Sequence, residues 1–303
     1  MTTTLPQHID YQPLLADPSA EELARLRTAL GAGEFGRPSR DRYAKKSRVG
    51  IAMAAMVGGF LGLIFGIMAL VALFKGNTED ALIGLWFTAG VAAIGLVFGW
   101  LADRSERRGF AAIWRLVGFA RANGLHVEPE AKVKLLPGSI FITKRHATTS
   151  EKVSWTAGGH AVQAAVHHRA SGGPQARSFT SRYLAVQLGA VPRLTFVTAG
   201  RRGAARPAAI AGPETTLTGD RGGRGTLTSL AATTPAARAF LTEELAGLLT
   251  DPGHPCHAEA KDGWFFAYYP ANQKADEAYW RHAFALADAV ARAHEQSSTH
   301  STP

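Results

Sequence analysis

IAMAAMVGGFLGLIFGIMALVALF, residues 51–74, runs for 24 residues without one charged side chain. After KGNTED (75–80) a second apolar run follows, ALIGLWFTAGVAAIGLVFGWLA, 22 residues at 81–102. As α-helices they rise roughly 36 Å and 33 Å at about 1.5 Å per residue, and the hydrocarbon core of a bilayer is about 30 Å thick. Both are long enough to cross it. A helix bonds every backbone N–H and C=O within its own segment, which lipid requires. The short Gly- and Asn-containing link predicts a helical hairpin whose outer ends lie on one side. A buried hairpin in a soluble protein is equally apolar all round, but the rest of this chain holds too little apolar material to cover two such helices.

Charge sets the orientation. The chain carries a net +9, and Arg37, Arg40, Arg42, Lys45, Lys46 and Arg48 stand before the first run while Arg104, Arg107, Arg108 and Arg115 follow the second. Only Lys75 is basic in the link. The positive-inside tendency then predicts an inner-membrane, two-pass protein with both termini cytoplasmic. Neither run contains Asp, Glu, Lys, Arg or His, which ion and proton pathways use, so the spans read as an anchor. The single cysteine, Cys256, suits a reducing compartment, and 48 mostly polar residues before the first run exclude the pattern of a cleaved secretion signal.

Small residues recur along both runs: Ala54, Gly58, Gly62 and Gly66 on the first, and Gly84, Thr88, Ala92, Gly95 and Gly99 on the second. Such stripes let helix backbones approach closely in lipid. Packing within one hairpin is the first reading of them, and a homodimer the second.

Four regions follow. Residues 1–48 form a cytoplasmic tail with one short helix, signalled by Ser19 and Glu22 as a capping box and by Leu23, Leu26 and Leu30 on one face; the Pro-containing segment before it reads as mobile. Residues 49–104 are the transmembrane hairpin, 105–296 a cytoplasmic α+β domain, and 297–303 a disordered tail. Phe110, Ile113, Trp114 and Val117 have helical spacing up to Asn123-Gly124, and whether that helix continues the second span or breaks at Gly109 stays open. Period-two alternation in AVQAAVHH (161–168), YLAVQL (183–188) and RLTFV (193–197) predicts strands, with SGGP (171–174) in a hairpin loop. Thr234-Pro235 opens a predicted helix carrying Leu241, Leu245 and Leu248. HAEAK and WFFAYY flank Asp262-Gly263, a tight hairpin turn. Tyr279, Ala283, Leu286 and Val290 mark a last helix. The fold class is α+β: a small antiparallel sheet with flanking helices.

The order FARANGL (119–125), LPGSIF (136–141), SRYLAVQL (181–188), LAGLLTD (245–251) and DGWFFAYYP (262–270) resembles uncharacterised membrane proteins of high-GC Gram-positive bacteria. The resemblance covers most of residues 50–295. It implies a membrane hairpin followed by a cytoplasmic domain of unknown function, and it carries no catalytic residues.

Chemistry-bearing motifs are sparse. His254, Cys256 and His257 form the one compact set of metal-capable side chains, without the further ligands a zinc site needs; a turn is the expected reading, and no cofactor is expected. Cys256 beside a histidine is also the pattern of an activated nucleophile, which defines the alternative: a membrane-bound enzyme with its site near Cys256 and His257. His167 and His168 occupy a strand and point to opposite faces. GDRGGRGT (219–226) lacks the lysine of a phosphate-binding loop and reads as a flexible connection. Arg201, Arg202, Arg206, Arg221 and Arg224 suit contact with anionic lipid headgroups, since each basic side chain near that surface contributes about 1 kcal/mol. Nucleic acid is a poorer fit, because aromatic residues are not interleaved with these arginines. The expectation is a non-enzymatic, membrane-anchored binding or scaffold module whose partners are the bilayer and a protein or second copy.

Overall fold

The computed structural model of the chain describes residues 4–35, 42–141, 147–170, 178–198, 214–218, 224–229 and 239–299. Its helices are α1 (Gln12–Leu15), α2 (Ala20–Ala32), α3 (Arg42–Phe74), α4 (Thr78–Ala122), α5 (Glu243–Leu249) and α6 (Glu277–Thr299). Its strands are β1 (His126–Ala131), β2 (Ala147–Ala157), β3 (His160–Ala170), β4 (Ser178–Gln187), β5 (Leu194–Thr198), β6 (Glu214–Thr218), β7 (Arg224–Ser229), β8 (His257–Lys261) and β9 (Trp264–Tyr269). Two units divide the chain: Pro18–Glu34 with Pro38–Trp114, and Met1–Asp17 with Phe35–Arg37 and Arg115–Pro303.

In the first unit, α2 starts at the expected capping box. The Ser19 hydroxyl accepts from Glu22 N–H at 3.2 Å, and the Glu22 carboxylate accepts from Ser19 N–H at 2.7 Å. Leu26 and Leu30 are buried, and Arg27 reaches α4 with its guanidinium 4.5 Å from the Phe110 ring. The second apolar run and the amphipathic segment after it form one continuous helix, with no break at Gly109. At about 1.5 Å per residue its 45 residues span roughly 68 Å, more than twice a hydrocarbon core. The stretch Leu82–Ala122 contains a window apolar and long enough to cross a membrane, and Gly58–Phe74 is a shorter apolar helix among the described residues.

The second unit is α+β. Its strands form one open antiparallel sheet in the order β1-β2-β3-β4-β9-β8-β5-β7-β6; β1 to β5 with β8 and β9 form its body, and β7 and β6 extend it beyond β5. The β8–β9 turn has Asp262 at φ 49° and Gly263 at φ 79°, the left-handed pair that a two-residue hairpin needs. One face of the sheet is closed by α6, through Tyr279, Trp280, Ala283, Leu286 and Val290, all at or near zero exposure. Against the other lies the segment 136–141, where Leu136, Ile140 and Phe141 pack with Tyr183, Phe266 and Tyr268.

Four expectations change. Residues 4–17, read as mobile, are packed: Asn123 exchanges hydrogen bonds with Asp10, donating to its carbonyl at 2.8 Å and accepting from its N–H at 2.7 Å. Tyr11 stacks on Phe119 at 5.8 Å. The helix expected from Thr234 is interrupted: its start lies outside the described residues (230–238), Ala239 and Phe240 are helical, and a separate helix is capped at Thr242, whose hydroxyl accepts from Leu245 N–H at 3.2 Å, with Leu245 and Leu249 as its buried residues. The last helix runs to Thr299, into the segment expected to be disordered. Arg224 to Thr226, read as part of a flexible connection, begin β7. Residues 171–177, including SGGP, lie outside the described residues.

Candidate functional site

Large apolar side chains in contact with solvent are concentrated on two helices. Among the described residues, all but Leu15 and Leu135 lie on α3 and α4, with Phe74 at 85% and Trp86 at 77% exposure. Only 6% of the apolar window of α4 is buried, which separates it from the core helix of a soluble protein. Below this surface the polar border begins: the Arg104 guanidinium sits 5.0 Å from the Trp100 ring, and Arg107 pairs with Asp103 at 2.8 Å. The small residues divide. A Cβ placed on Gly84 would meet the Ala69 Cβ at 2.8 Å and the Phe65 carbonyl oxygen at 3.1 Å, so α3 and α4 touch there backbone to backbone. Gly58 lies in ordinary contact distance of Val91, and Gly62, Gly66, Gly95 and Gly99 face open space. The Thr88 hydroxyl donates to the Gly84 carbonyl at 2.9 Å. The Ala92 side chain is exposed, and that of Ala54 lies outside the described residues.

The α+β unit holds a second arrangement, at the turn that leaves α5. Asp251 N–H donates to the Leu248 carbonyl at 3.3 Å, and the Asp251 carboxylate accepts from Gly253 N–H at 3.0 Å and from His254 Nδ1 at 2.9 Å. The His254 ring lies near-parallel to that of His282 from α6, with centroids 4.7 Å apart and planes 18° apart. A carbonyl can only accept, so His282 Nε2 carries the proton it donates to the Leu248 oxygen at 3.1 Å, and Nδ1 accepts from the Tyr269 hydroxyl at 3.2 Å. Burial pushes His282 down to about 4, the Leu248 hydrogen bond opposing it in part. For Asp251 burial works upward, but the hydrogen bonds from His254 and Gly253 outweigh it and the carboxyl is lowered. The potential ligand atoms of Asp251, His254 and His282 all lie within 4.8 Å of one another.

His254, Cys256 and His257, close in sequence, have different surroundings: His254 pairs with Asp251, whereas Cys256 and His257 hydrogen-bond to Thr198. Cys256 is buried, its carbonyl accepts from the Thr198 hydroxyl, and burial raises its thiol to about 12. A buried protonated thiol is the opposite of an activated nucleophile. His257 Nδ1 accepts from Thr198 N–H at 3.0 Å. Asp251 and His282 were not singled out in the sequence. The spacing Asp-x-x-His at 251–254, followed by a histidine on the next helix, was the available signal.

Two further buried groups lie against the segment 136–141. The Glu259 carboxylate accepts from Ser139 N–H at 2.5 Å, from the Ser139 hydroxyl at 2.6 Å and from the Tyr268 hydroxyl. His167 contacts the Phe141 ring edge-on at 4.9 Å, and neither of its nitrogens has a partner among the described residues. His168, pointing the other way, contacts Thr180 Oγ1 at 2.9 Å. Of the arginines, Arg201, Arg202, Arg206 and Arg221 lie outside the described residues, and Arg224 opens β7 opposite Thr218.

No protein-family model matches the chain, and no curated protein is similar to it in sequence. A similarity in structure exists. The crystal structure of the mycobacterial trehalose monomycolate transport factor A, TtfA, aligns with a TM-score of 0.41 and 14% identity, over 59% of this chain and 91% of that one.

Proposed function

We propose that this chain is a two-pass membrane protein of the cytoplasmic membrane, with α3 and α4 as a transmembrane hairpin, both termini cytoplasmic, and the α+β unit as a tethered binding or scaffold module. The observation that carries the reading is the bare apolar surface of α3 and α4, since soluble monomers rarely expose contiguous apolar patches beyond a few hundred Å². The packed N-terminal segment supports the hairpin independently. Residues 4–17 belong to the same unit as residues 115–303, which supports a chain that starts and finishes on one side of the bilayer and crosses it an even number of times. The basic borders favour the cytoplasm for that side, and the sequence resemblance to two-pass membrane proteins of high-GC Gram-positive bacteria agrees.

In this reading the domain meets an anionic leaflet through Arg201, Arg202, Arg206, Arg221 and Arg224, or meets a protein partner or second copy there. The enzyme alternative at Cys256 and His257 gains no support from a buried, protonated thiol. The test is a pair of reporters active only outside the cytoplasm, one inserted in 75–80 and one fused after Pro303. Activity from the first and silence from the second is expected; activity after Pro303 overturns the topology. Extraction of the intact protein by carbonate overturns membrane insertion itself.

A further inference from the structure

We propose that Asp251, His254 and His282 bind one zinc-class divalent cation at the turn between α5 and β8. Three donors from two distant stretches of chain converge here, two imidazoles and one carboxylate, their ligand atoms within 4.8 Å of one another. In a four-coordinate site with bonds of about 2.0–2.1 Å, ligand atoms stand roughly 3.3 Å apart. The Asp251–His254 separation of 2.9 Å is already that of neighbouring ligands, and the remaining contraction is within reach of side-chain rotation. A set of two nitrogens and one oxygen favours zinc, cobalt or nickel, whereas magnesium and calcium take oxygen ligands.

The surroundings hold the donors in place. The Asp251 carboxylate is fixed by Gly253 N–H, and the Tyr269 hydroxyl oxygen, 3.2 Å from His282 Nδ1, is placed to accept a hydrogen bond from Nδ1–H once Nε2 ligates. The neutral ring then moves its single proton from Nε2 to Nδ1, and the hydrogen bond to the Leu248 carbonyl is replaced by the metal bond. His254 likewise moves its proton from Nδ1 to its other nitrogen. An outer hydrogen bond of this kind is how metal-ligating histidines are oriented. The Asp251 and His254 side chains each keep 16% exposure, which leaves a route for the ion and a position for solvent. With three protein ligands and a water, the site has the open form. Its ion would tie the turn after α5 to α6, which Arg292 and Glu244 already bridge at 2.6 Å.

The test uses the untagged full-length chain in mild detergent, stripped with a chelator and titrated with Co²⁺, whose visible absorption reports its ligands. One equivalent per chain is expected, with tetrahedral absorption, no thiolate charge-transfer band, and displacement by Zn²⁺. Asp251→Asn and His254→Gln, both at partly exposed positions, weaken binding by about 100-fold or more, and Tyr269→Phe by about tenfold. His126→Gln, on an exposed ring at the start of β1, leaves it unchanged. A cluster that only holds the turn through its hydrogen bonds gives no saturable binding, and that result overturns the proposal. So does binding that survives Asp251→Asn and His254→Gln, or a thiolate band placing Cys256 among the ligands. None of these outcomes bears on the membrane reading.

Discussion

At the scale of single residues, the two buried polar groups beside the segment 136–141 behave oppositely. Glu259 is satisfied by three donors, and hydrogen bonds to charged groups contribute about 1.5–3 kcal/mol each, so it fixes LPGSIF to the sheet. His167 is fully buried with no such partner among the described residues. Burial, and then the nearby His168 and Arg169, push its pKa down to about 4. The folded state therefore takes up a proton less readily than the unfolded chain, whose histidine titrates near 6.5. Stability from this residue is complete above the unfolded value and is lost as the pH falls from there towards 4, to a total of about 3 kcal/mol. His167→Leu removes an imidazole that makes no hydrogen bond to a described residue, so it changes stability little at pH 8. Chemical denaturation between pH 8 and pH 4 is expected to show a shallower acid loss for the variant than for the wild type. Parallel curves would mean that His167 gains a partner or a proton in the folded state.

At the scale of elements, legibility in the sequence followed how local each signal was. The capping box at Ser19 and Glu22, the Asp262-Gly263 hairpin and the helix through Tyr279 and Val290 need only neighbours a few positions away, and each is present. Strands β1 and β2 were missed for identifiable reasons. Pro129 interrupts β1, which tolerates it as an edge strand, and the bulge at Glu151 (φ 54°) breaks the alternation of β2. Thr-rich β6 and β7 sit in an Arg/Gly-rich context that hides them. Of the Asp251–His254–His282 cluster only His254 reads as a candidate in the sequence, because His282 arrives from another element and Asp251 reads as the end of a helix. The small-residue stripes were legible as pattern but not as contacts. Gly84 has no room for a side chain, while Gly95 faces open space. Gly84→Leu should therefore force α3 and α4 apart at a cost of about 1–3 kcal/mol and lower the thermal midpoint in detergent, with Gly95→Leu close to wild type. Equal loss from both would place a partner on the Gly95 face; no loss from Gly84→Leu would mean the helices do not touch there.

At the scale of the whole molecule, the N-terminal segment couples the two ends of the chain. Asp10 and Asn123, 113 positions apart, share two hydrogen bonds, Tyr11 lies between Phe119 and the Arg281 guanidinium, and Arg115 donates to the Ala16 carbonyl at 2.8 Å. These contacts join residues before the apolar runs to residues after them, so a topology that put the two on opposite sides of a bilayer would have to break all of them. Their strength is therefore measurable without reference to the membrane. Asn123 is the most connected, buried and donating also to the Phe119 carbonyl at 2.8 Å. Asn123→Ala leaves the Asp10 backbone groups without their partner, a loss of about 1–3 kcal/mol, which raises the population of the released segment roughly fivefold or more. Limited proteolysis of the protein in detergent micelles should then cleave within residues 4–17 faster in the variant by that factor, with the α+β unit itself uncut. Equal cleavage rates would mean that the segment is not held by Asn123, and the proposed two-pass topology would then rest on the basic borders alone.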